Sequence, residues 1–386
     1  SWATGLAKKG YEVWCFTNVA YEKEIVEVAR KLNFPNLHFV FVRLSAILDK
    51  YFLNSDSKKI YIHYYLWKRK AARIAINLHQ SIKFDIGHHV TYGSLQQGHF
   101  LWKLKGIKII FGPVGGGQKA PLVLRKYFEN SWKYEQIRNL ISNLIITSGR
   151  NFRKSLLKAD YLLVTNADTQ KMAERSGYIS RDKIHFSPDH AVPLSMEKIE
   201  SPYHEKSKPF QLLWVGRILP RKGLNLVMEG LSRLPADFDY TLTIVGGGEL
   251  FPLLPKWIKE YSLDEKRINI IGRVPFHEVI KYYEKSDVFI FCTLRDSFPM
   301  QITEALAFGL PVIALNIHGS AIALPDNCGI KITPVSTEET LNSIADAVIK
   351  LQQDDNLRKQ FSENAHQYIK KQTWQNQIET VTRSYY

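Results

Sequence analysis

At 386 residues and 44.6 kDa the chain is too long for one compact core and suits two domains of about 150–200 residues each. Its 45% apolar and 23% charged residues exclude a disordered or collagen-like chain; no run approaches the ~18 apolar residues that span a bilayer, and mean hydropathy is −0.21. Three widely spaced cysteines, Cys15, Cys292 and Cys328, form no CxxC pair, which excludes a disulfide framework or a structural zinc site and fits a reducing compartment. The net charge of +15 is confined to one half. Residues 1–200 hold 31 Lys+Arg against 16 Asp+Glu, residues 201–386 hold 21 against 21, and residues 43–160 hold 21 against 6. Such asymmetry points to an anionic partner for the first half, either a membrane surface, nucleic acid or a phosphorylated ligand. A surface kept soluble by lysines is the plainer alternative.

In chain order, short apolar runs alternate with helical stretches. Strands are expected at residues 11–17 (YEVWCFT), 37–44 (LHFVFVRL), 84–91, 107–114 (IKIIFGPV), 161–166 (YLLVTN) and 184–189, with helices at 22–31, 61–80 and 132–158 among them. A second series follows at 211–217 (QLLWVGR), 240–245 (YTLTIV), 268–272, 288–294 (VFIFCTL), 311–315 (PVIAL) and 329–333. Runs that are apolar on both faces and alternate with helices mean parallel sheets covered on both sides. Two series give an α/β architecture of two doubly wound domains, not one large sheet.

Residues 197–209 (EKIESPYHEKSKP) have few apolar side chains, two prolines and many charges, as a linker should. They separate a domain at 1–196 from one at 210–368. Residues 369–386, ending TWQNQIETVTRSYY, are expected to cross back as a helix onto the first domain. Ligands of open α/β sheets bind beyond the carboxyl ends of the strands, so the cleft between the domains is the default site. The opening stretch SWATGLAKKGYEV reads as the end of a first helix running into a second strand. The expectation is therefore that a first strand and its Gly-rich turn, roughly 15–30 residues, are missing ahead of it.

Residues 212–231 (LLWVGRILPRKGLNLVMEGL) follow a buried strand with a Gly-Arg turn and a second base five residues on. Arg217 at the strand's carboxyl end and Lys222 at a helix start suit a diphosphate, the guanidinium by forked contacts and the ammonium as a point charge. Surface cations on a loop are the plainer reading of that block alone. Residues 288–315 read strand, acidic loop, helix, Gly-Leu-Pro turn, strand, with Asp296 in the loop and Glu304 in the helix. Ser297 and Pro299 fit the first positions of that helix. Its N-terminus offers unpaired N–H groups to phosphate or sugar oxygens, and carboxylates beside it accept hydrogen bonds from sugar or ribose hydroxyls. A turn aspartate and a solvated helix glutamate are the alternatives.

In the first half, residues 85–94 (DIGHHVTYGS) end a strand with His88 and His89, and residues 110–121 (IFGPVGGGQKAP) place Gly115, Gly116 and Gly117 in a loop after the next strand. A strand-end histidine is either structural or, in a cleft, functional. The glycine run either cradles phosphate through backbone N–H groups or is a flexible turn. Glycines 246–248 lack GxGxxG spacing, and Asp237 and Asp239 precede a strand in a polar turn and read as solvated. HExxH, paired Cys/His metal spacing and a Gly-x-Ser-x-Gly elbow do not occur.

At these blocks the chain resembles glycosyltransferase family 4, of the GT-B fold. Gly216, Arg217, Lys222 and Gly223 fit the family's G-R-x-x-x-x-K-G block, and Asp296 and Glu304 its E-x7-E block; EALAFGLPVIA and residues 270–294 are close to its wording around them. The resemblance covers essentially the whole second half. More loosely, His88, His89 and the glycine loop look like a bacterial branch that builds surface polysaccharides and glycolipids. It implies two Rossmann-like domains facing a cleft. It also implies transfer of a sugar, with retention and without metal or other cofactor, from a nucleotide-sugar donor to a glycan or lipid-linked acceptor. Carried over residue by residue, Gly216, Arg217 and Lys222 would hold the donor diphosphate and Glu304 the ribose. Asp296, with the backbone of Ser297, Phe298, Pro299 and Met300, would hold the sugar, and the segment from Gly272 through Arg273 to Val274 would face the nucleobase. His88 or His89 would touch the transferring sugar. Asp296 is one methylene shorter than the family's commoner Glu, and Ser-Phe-Pro replaces Gly-Phe-Gly; both bear on donor choice.

Retaining transfer requires the leaving diphosphate to be stabilised as the sugar gains oxocarbenium character. Arg217, Lys222 and the helix N-terminus near Ser297 are expected to do this, with domain closure excluding water. The stretches KKIYIHYYLWKRKAAR and KYEQIRNLISNLIITSGRNFRKSLLK mix bases with aromatic and aliphatic residues at helical spacing. That suits peripheral binding to an anionic membrane, here the inner face of the cytoplasmic membrane; core helices with solvated outer faces are the alternative. The competing functional classes are an inactive partner subunit of the same fold and a nucleic-acid binder using the basic half. No signature of a nucleic-acid module is present, and no nucleic-acid partner is expected.

Overall fold

A computed structural model of the protein describes residues 1–45, 49, 60–90, 93–193, 196 and 205–386. The first domain carries strands β1 (Val13–Asn18), β2 (Leu37–Val42), β3 (Ile86–His89), β4 (Lys108–Val114), β5 (Tyr161–Val164) and β6 (Ile184–Phe186). Its helices are α1 (Trp2–Lys8), α2 (Glu22–Leu32), α3 (Ile60–Ile82), α4 (Trp132–Ser148), α5 (Arg150–Leu157) and α6 (Ala167–Ser176). The second domain carries β7 (Phe210–Val215), β8 (Tyr240–Val245), β9 (Ile268–Gly272), β10 (Val288–Phe291), β11 (Val312–Leu315) and β12 (Gly329–Ile332). With them run α7 (Leu224–Leu231), α8 (Leu254–Glu260), α9 (Phe276–Glu284), α10 (Met300–Ala307), α11 (His318–Ala323), α12 (Thr337–Gln353), α13 (Asp355–Ile369) and α14 (Trp374–Tyr385).

Every strand pair is parallel. The second sheet has the order β12-β11-β10-β7-β8-β9, so the chain leaves the adjacent β7 and β10 towards opposite sides. Leu212, Leu213, Trp214, Phe289, Ile290 and Ile313 are wholly buried, as strands covered by helices on both faces must be. Each such side chain contributes roughly 1.5–3 kcal/mol on leaving water. The first domain divides its strands between a β1-β2 pair and a β3-β4-β5-β6 sheet.

Three expectations change. The helix expected over 132–158 breaks at Gly149, whose extended backbone (ψ 104°) ends α4 and starts α5. The boundary at 196 is crossed by the segment Leu122–Ser131: Leu124, Tyr127 and Phe128 bury themselves in the second domain's core. Asn225 donates to the Tyr127 carbonyl (3.1 Å) and Trp257 to Glu129 Oε1 (3.1 Å). Apolar side chains of this size need cover, and the helices beside β7 supply it. Helix α10 begins at Met300 with Pro299 just before it, so Ser297 and Pro299 lie ahead of the helix and not in its first turn. Of the expected linker, residues 197–204 lie outside the described residues, as does Thr91 of the expected strand 84–91. Helix α14 lies on the first domain, where Val381 joins Ile110 and Leu163.

Candidate active site between the two sheets

The crevice of a doubly wound sheet opens where the chain departs to both sides, here beyond the carboxyl ends of β7 and β10. The loop after β7 carries Gly216 and Arg217, then one tight turn, Pro220–Lys222, before α7. The loop after β10 carries Asp296 and ends at α10. The two loops are stitched together: Leu294 N (2.9 Å) and Thr293 Oγ1 (3.0 Å) both donate to the Arg221 carbonyl. These bonds turn residues 292–294 out of the ladder, so β10 stops at Phe291.

Lys222 is 5% exposed and donates to Asp296 Oδ2. The Arg221 guanidinium stands 3.5 Å from the same oxygen, and Ser297 N donates to Asp296 Oδ1 (3.1 Å). Burial works to raise Asp296, but the charges of Lys222 and Arg221 outweigh it and hold the carboxylate below its usual range. Burial lowers Lys222, and Asp296 partly restores it. Glu304 on α10 is buried and accepts from the Tyr283 hydroxyl of α9 (2.8 Å). Burial raises its pKa against the opposing effects of that bond, His190 and Lys222. Arg217 is exposed, yet close enough for its charge to act on Lys222. Arg273 is exposed and Val274 half-buried against the core beyond Gly272, whose carbonyl accepts from Gly246 N (2.8 Å).

The first domain closes the other side. A Cβ on Gly115 would come within 2.4 Å of the Ser297 Cβ, so only glycine allows this approach. Asn166 Nδ2 donates to the Ser297 carbonyl (2.9 Å). Arg295 Nε stands 2.9 Å from Glu135 Oε1 of α4, an ion pair without hydrogen-bond alignment. His318 Nδ1 of α11 meets Asp168 Oδ2 of α6 at 2.9 Å, a bond that holds Asp168 low. The sequence thus pointed to both walls, but Arg221, Tyr283, Glu135, Asn166, Asp168 and His318 were missed. Arg221 could have been found from its place beside Lys222; nothing local marks the others.

Two expectations for the first domain are corrected. A phosphate cradle at residues 115–117 is not available, because every N–H already has an acceptor. Gly115 N bonds the Gly93 carbonyl (2.7 Å), Gly116 N bonds Gln118 Oε1 (2.9 Å) and Gly117 N bonds Thr169 Oγ1 (3.2 Å). His88 has no nitrogen left for a sugar, since Nδ1 meets the Tyr386 hydroxyl (2.7 Å) and Nε2 the Gly112 carbonyl (2.8 Å). Burial pulls its pKa down to about 4. His89 commits Nε2 to Tyr64 Oη (3.0 Å).

Away from the cleft, the basic half exposes apolar side chains. On α4, Tyr134, Ile137, Leu140, Ile141 and Leu144 are each at least half exposed, and their spacing places them on one helix face. On α3, Tyr61, Ile62 and Tyr65 are exposed while Tyr64 and Trp67 pack inward, so the aromatic run there divides between surface and core. Residues 58–59 of that stretch lie outside the described residues. Tyr65 packs edge-on against Phe100 (5.5 Å), Phe100 against Trp102 (6.1 Å), and Lys154 of α5 covers Trp102 (4.4 Å). Apolar surface of this extent marks an interaction site. Among the described residues no helix is long and apolar enough to cross a membrane, and no three His, Cys, Asp or Glu side chains gather as a metal-holding group.

Residues 195–368 match the family described as glycosyl transferases group 1. An uncharacterized glycosyltransferase of Methanocaldococcus jannaschii is 24% identical over 45% of this chain and 47% of its own length. The D-inositol 3-phosphate glycosyltransferase of Corynebacterium glutamicum is 28% identical over 49% and 46%. The chain thus spans about half the length of these curated relatives. Among solved structures, sucrose-phosphate synthase from Thermosynechococcus elongatus superposes with a TM-score of 0.67 at 18% identity, covering 100% of this chain and 90% of that one. Anabaena HepE in complex with UDP superposes at 0.60 and 14%, covering 99% and 96%. At such identities the likeness speaks for the fold, which is GT-B.

Proposed function

We propose that the protein is a glycosyltransferase of the family 4 type, moving a sugar with retention from a nucleotide-sugar donor to a glycan or lipid-linked acceptor. The observation that carries this reading is the Lys222–Asp296 pair, buried at the crevice of the second sheet and facing the Gly115 wall of the first. Lys222, Arg217 and the start of α10 are the groups that take the donor diphosphate and stabilise it as it leaves, by fixed positive charge in a site shielded from water. A diphosphate that draws Lys222 from Asp296 frees that carboxylate to accept hydrogen bonds from the sugar. Glu304 serves the ribose, and His89, whose Nδ1 has no hydrogen-bond partner among the described residues, serves the sugar across the cleft. HepE, of the same fold, was solved in complex with UDP, in keeping with a nucleoside-diphosphate site here.

The test is a panel of nucleotide sugars scored for protection against thermal unfolding. A donor present at about 100 times its Kd adds about 2.7 kcal/mol to the folded state, a shift of several degrees. Protection by one nucleotide class, followed by sugar transfer or donor hydrolysis, is expected; absence of both overturns the reading.

The acceptor side is proposed to work at an anionic membrane surface, on the cytoplasmic face. The exposed stripe of α4, within a segment carrying 21 bases against 6 acids, supports this, since each base near an anionic surface contributes about 1 kcal/mol. Cosedimentation with anionic vesicles that weakens as salt rises is expected. Absence of binding at low salt, or equal binding to neutral vesicles, refutes the electrostatic part.

A further inference from the structure

Two carboxylates at the seam of the cleft are each shared by two cations. Asp296 lies between Lys222 and Arg221. Glu135 of α4 lies between Arg138 on its own helix (3.0 Å) and Arg295 of the second domain (2.9 Å). The two groups adjoin, since Arg221 Nη1 donates to the Arg295 carbonyl (3.3 Å). A donor diphosphate that takes Lys222 leaves three guanidiniums to these two carboxylates. That is one positive charge more than the donor uses, in a site where an unbalanced charge is costly.

Glu135 satisfies its two arginines poorly. Arg295 Nε meets it out of line, and the Nε groups of both Arg138 and Arg295 are buried with no hydrogen-bond acceptor among the described residues. Burial and the charge of Arg138 pull Arg295 down to about 10 against the opposing effect of Glu135, so it stays charged at neutral pH. Gln118, from the loop facing Arg295, is 4% exposed. Its carbonyl accepts from Arg138 Nη2 (2.7 Å), and its Oε1 accepts from Gly116 N (2.9 Å), which fixes the other end of the amide as Nε2. That Nε2 lies against Gly115, where an added Cβ would stand 3.1 Å from it, and it has no acceptor among the described residues. The side chains of Arg221 and Arg295 are each 22% exposed and that of Arg138 31%. They are open enough for a ligand to reach and covered enough to escape full screening by salt.

We propose that Arg138, Arg221 and Arg295, with the Gln118 amide, bind a phosphate group carried by the acceptor, and that Glu135 is the counter-ion this phosphate displaces. The proposal rests on the reading of the cleft as a site of sugar transfer. Arg138, Gln118 and Glu135 belong to the first domain, across the crevice from the groups that serve the donor, which makes the ligand the acceptor. The donors converge from both walls. A tetrahedral phosphate offers oxygens to forked contacts from both sides, whereas a planar carboxylate such as Glu135 leaves both Nε groups unpaired.

The test is calorimetric titration with inorganic phosphate, at constant ionic strength, of the Arg217→Ala protein, in which the diphosphate site is weakened. One phosphate per chain is expected to bind. Adding Arg138→Gln or Arg295→Gln is expected to weaken it about tenfold or more, the loss of a charge-assisted contact, and Arg295→Lys to keep part of the affinity. Adding Glu135→Gln is expected to tighten it about tenfold, a gain that a misfolded chain does not give. Absence of phosphate binding, equal affinity in both arginine variants, or a Glu135→Gln protein that binds no tighter overturns the site and leaves Arg295–Glu135 as a clasp between the domains. Glucose 6-phosphate and dihexanoyl phosphatidate, added as competitors, identify the carrier. Displacement of inorganic phosphate by either supports the proposal, the tighter one marking a sugar phosphate or a lipid phosphate, and displacement by neither overturns the acceptor assignment. The donor panel uses neither these variants nor these probes, so the functional reading and this site fail separately.

Discussion

Lys222 and Arg217 are five residues apart, yet one is buried against Asp296 and the other stands in solvent, so their substitution separates two effects. Arg217→Ala is expected to weaken donor binding by roughly 1.5–3 kcal/mol, the size of a lost charge-assisted contact, with an unchanged unfolding midpoint. Lys222→Ala leaves the buried Asp296 with the more distant Arg221 as its cation and the Ser297 N–H as its donor, so donor binding and about 3–5 kcal/mol of stability should go together. Replacing both partners, as Lys222→Met with Asp296→Asn, should recover most of the stability and none of the binding. Denaturant melts beside donor titrations check all three; a Lys222→Ala midpoint like that of the parent would refute the pairing argument. These residues were legible because each sits beside a strand end in a short local block. Glu135, Asn166 and His318 were not, because their partners lie more than 130 residues away. The N–H groups of residues 115–117 looked available in sequence only because their acceptors, Gly93, Gln118 and Thr169, are supplied by folding.

Helix α4 carries the clearest conflict between an element and its solvent. Five large apolar side chains on one exposed face oppose the ordinary rule for a surface helix. Charging that face should act on partner binding alone. Leu140→Glu with Leu144→Glu is expected to abolish vesicle cosedimentation while leaving the donor-induced thermal shift intact; retained cosedimentation would remove α4 from the membrane contact. The twelve strands of the described residues could be read from the sequence, those of the second sheet most plainly, because double-sided burial leaves continuous apolar runs. Their ends could not. Residues 292–294 look like strand, but hydrogen bonds to the Arg221 carbonyl turn them towards the cleft. The break between α4 and α5 was hidden as well, because the helical pattern continues through Gly149 while its backbone does not. The split of the first sheet lay beyond reading too, since strand existence is a local property and strand neighbourhood is not.

Across the whole molecule, acid should unfold the first domain through its histidines. His99 is buried, His88 and His89 are half-buried, and all three are held in their neutral forms. Burial depresses all three, His88 to about 4 and His99 to about 3. In the unfolded chain each titrates near ~6.5. Between those limits the unfolded state holds more protons, so stability falls as pH drops from about 6.5 to 4, by up to ~1.4 kcal/mol per unit for each histidine. Urea melts across that range should show a falling midpoint, and a flat profile would mean these rings are not held neutral in the folded chain. One of these histidines, His88, is held by Tyr386, beyond the stretch that returns to the first domain near Gln372; the chain leaves for the second domain near Val192. These leaving and returning stretches touch: Val192 N donates to the Gln372 carbonyl (2.9 Å), and Gln377 donates to that of Pro188. Laced together in this way, they act as the spine of a book and not as two separate straps. Any change in the angle of the cleft would turn about this line, and lifting the covers apart would have to tear Val192 from Gln372 and draw Leu124, Tyr127 and Phe128 out of the second domain's core.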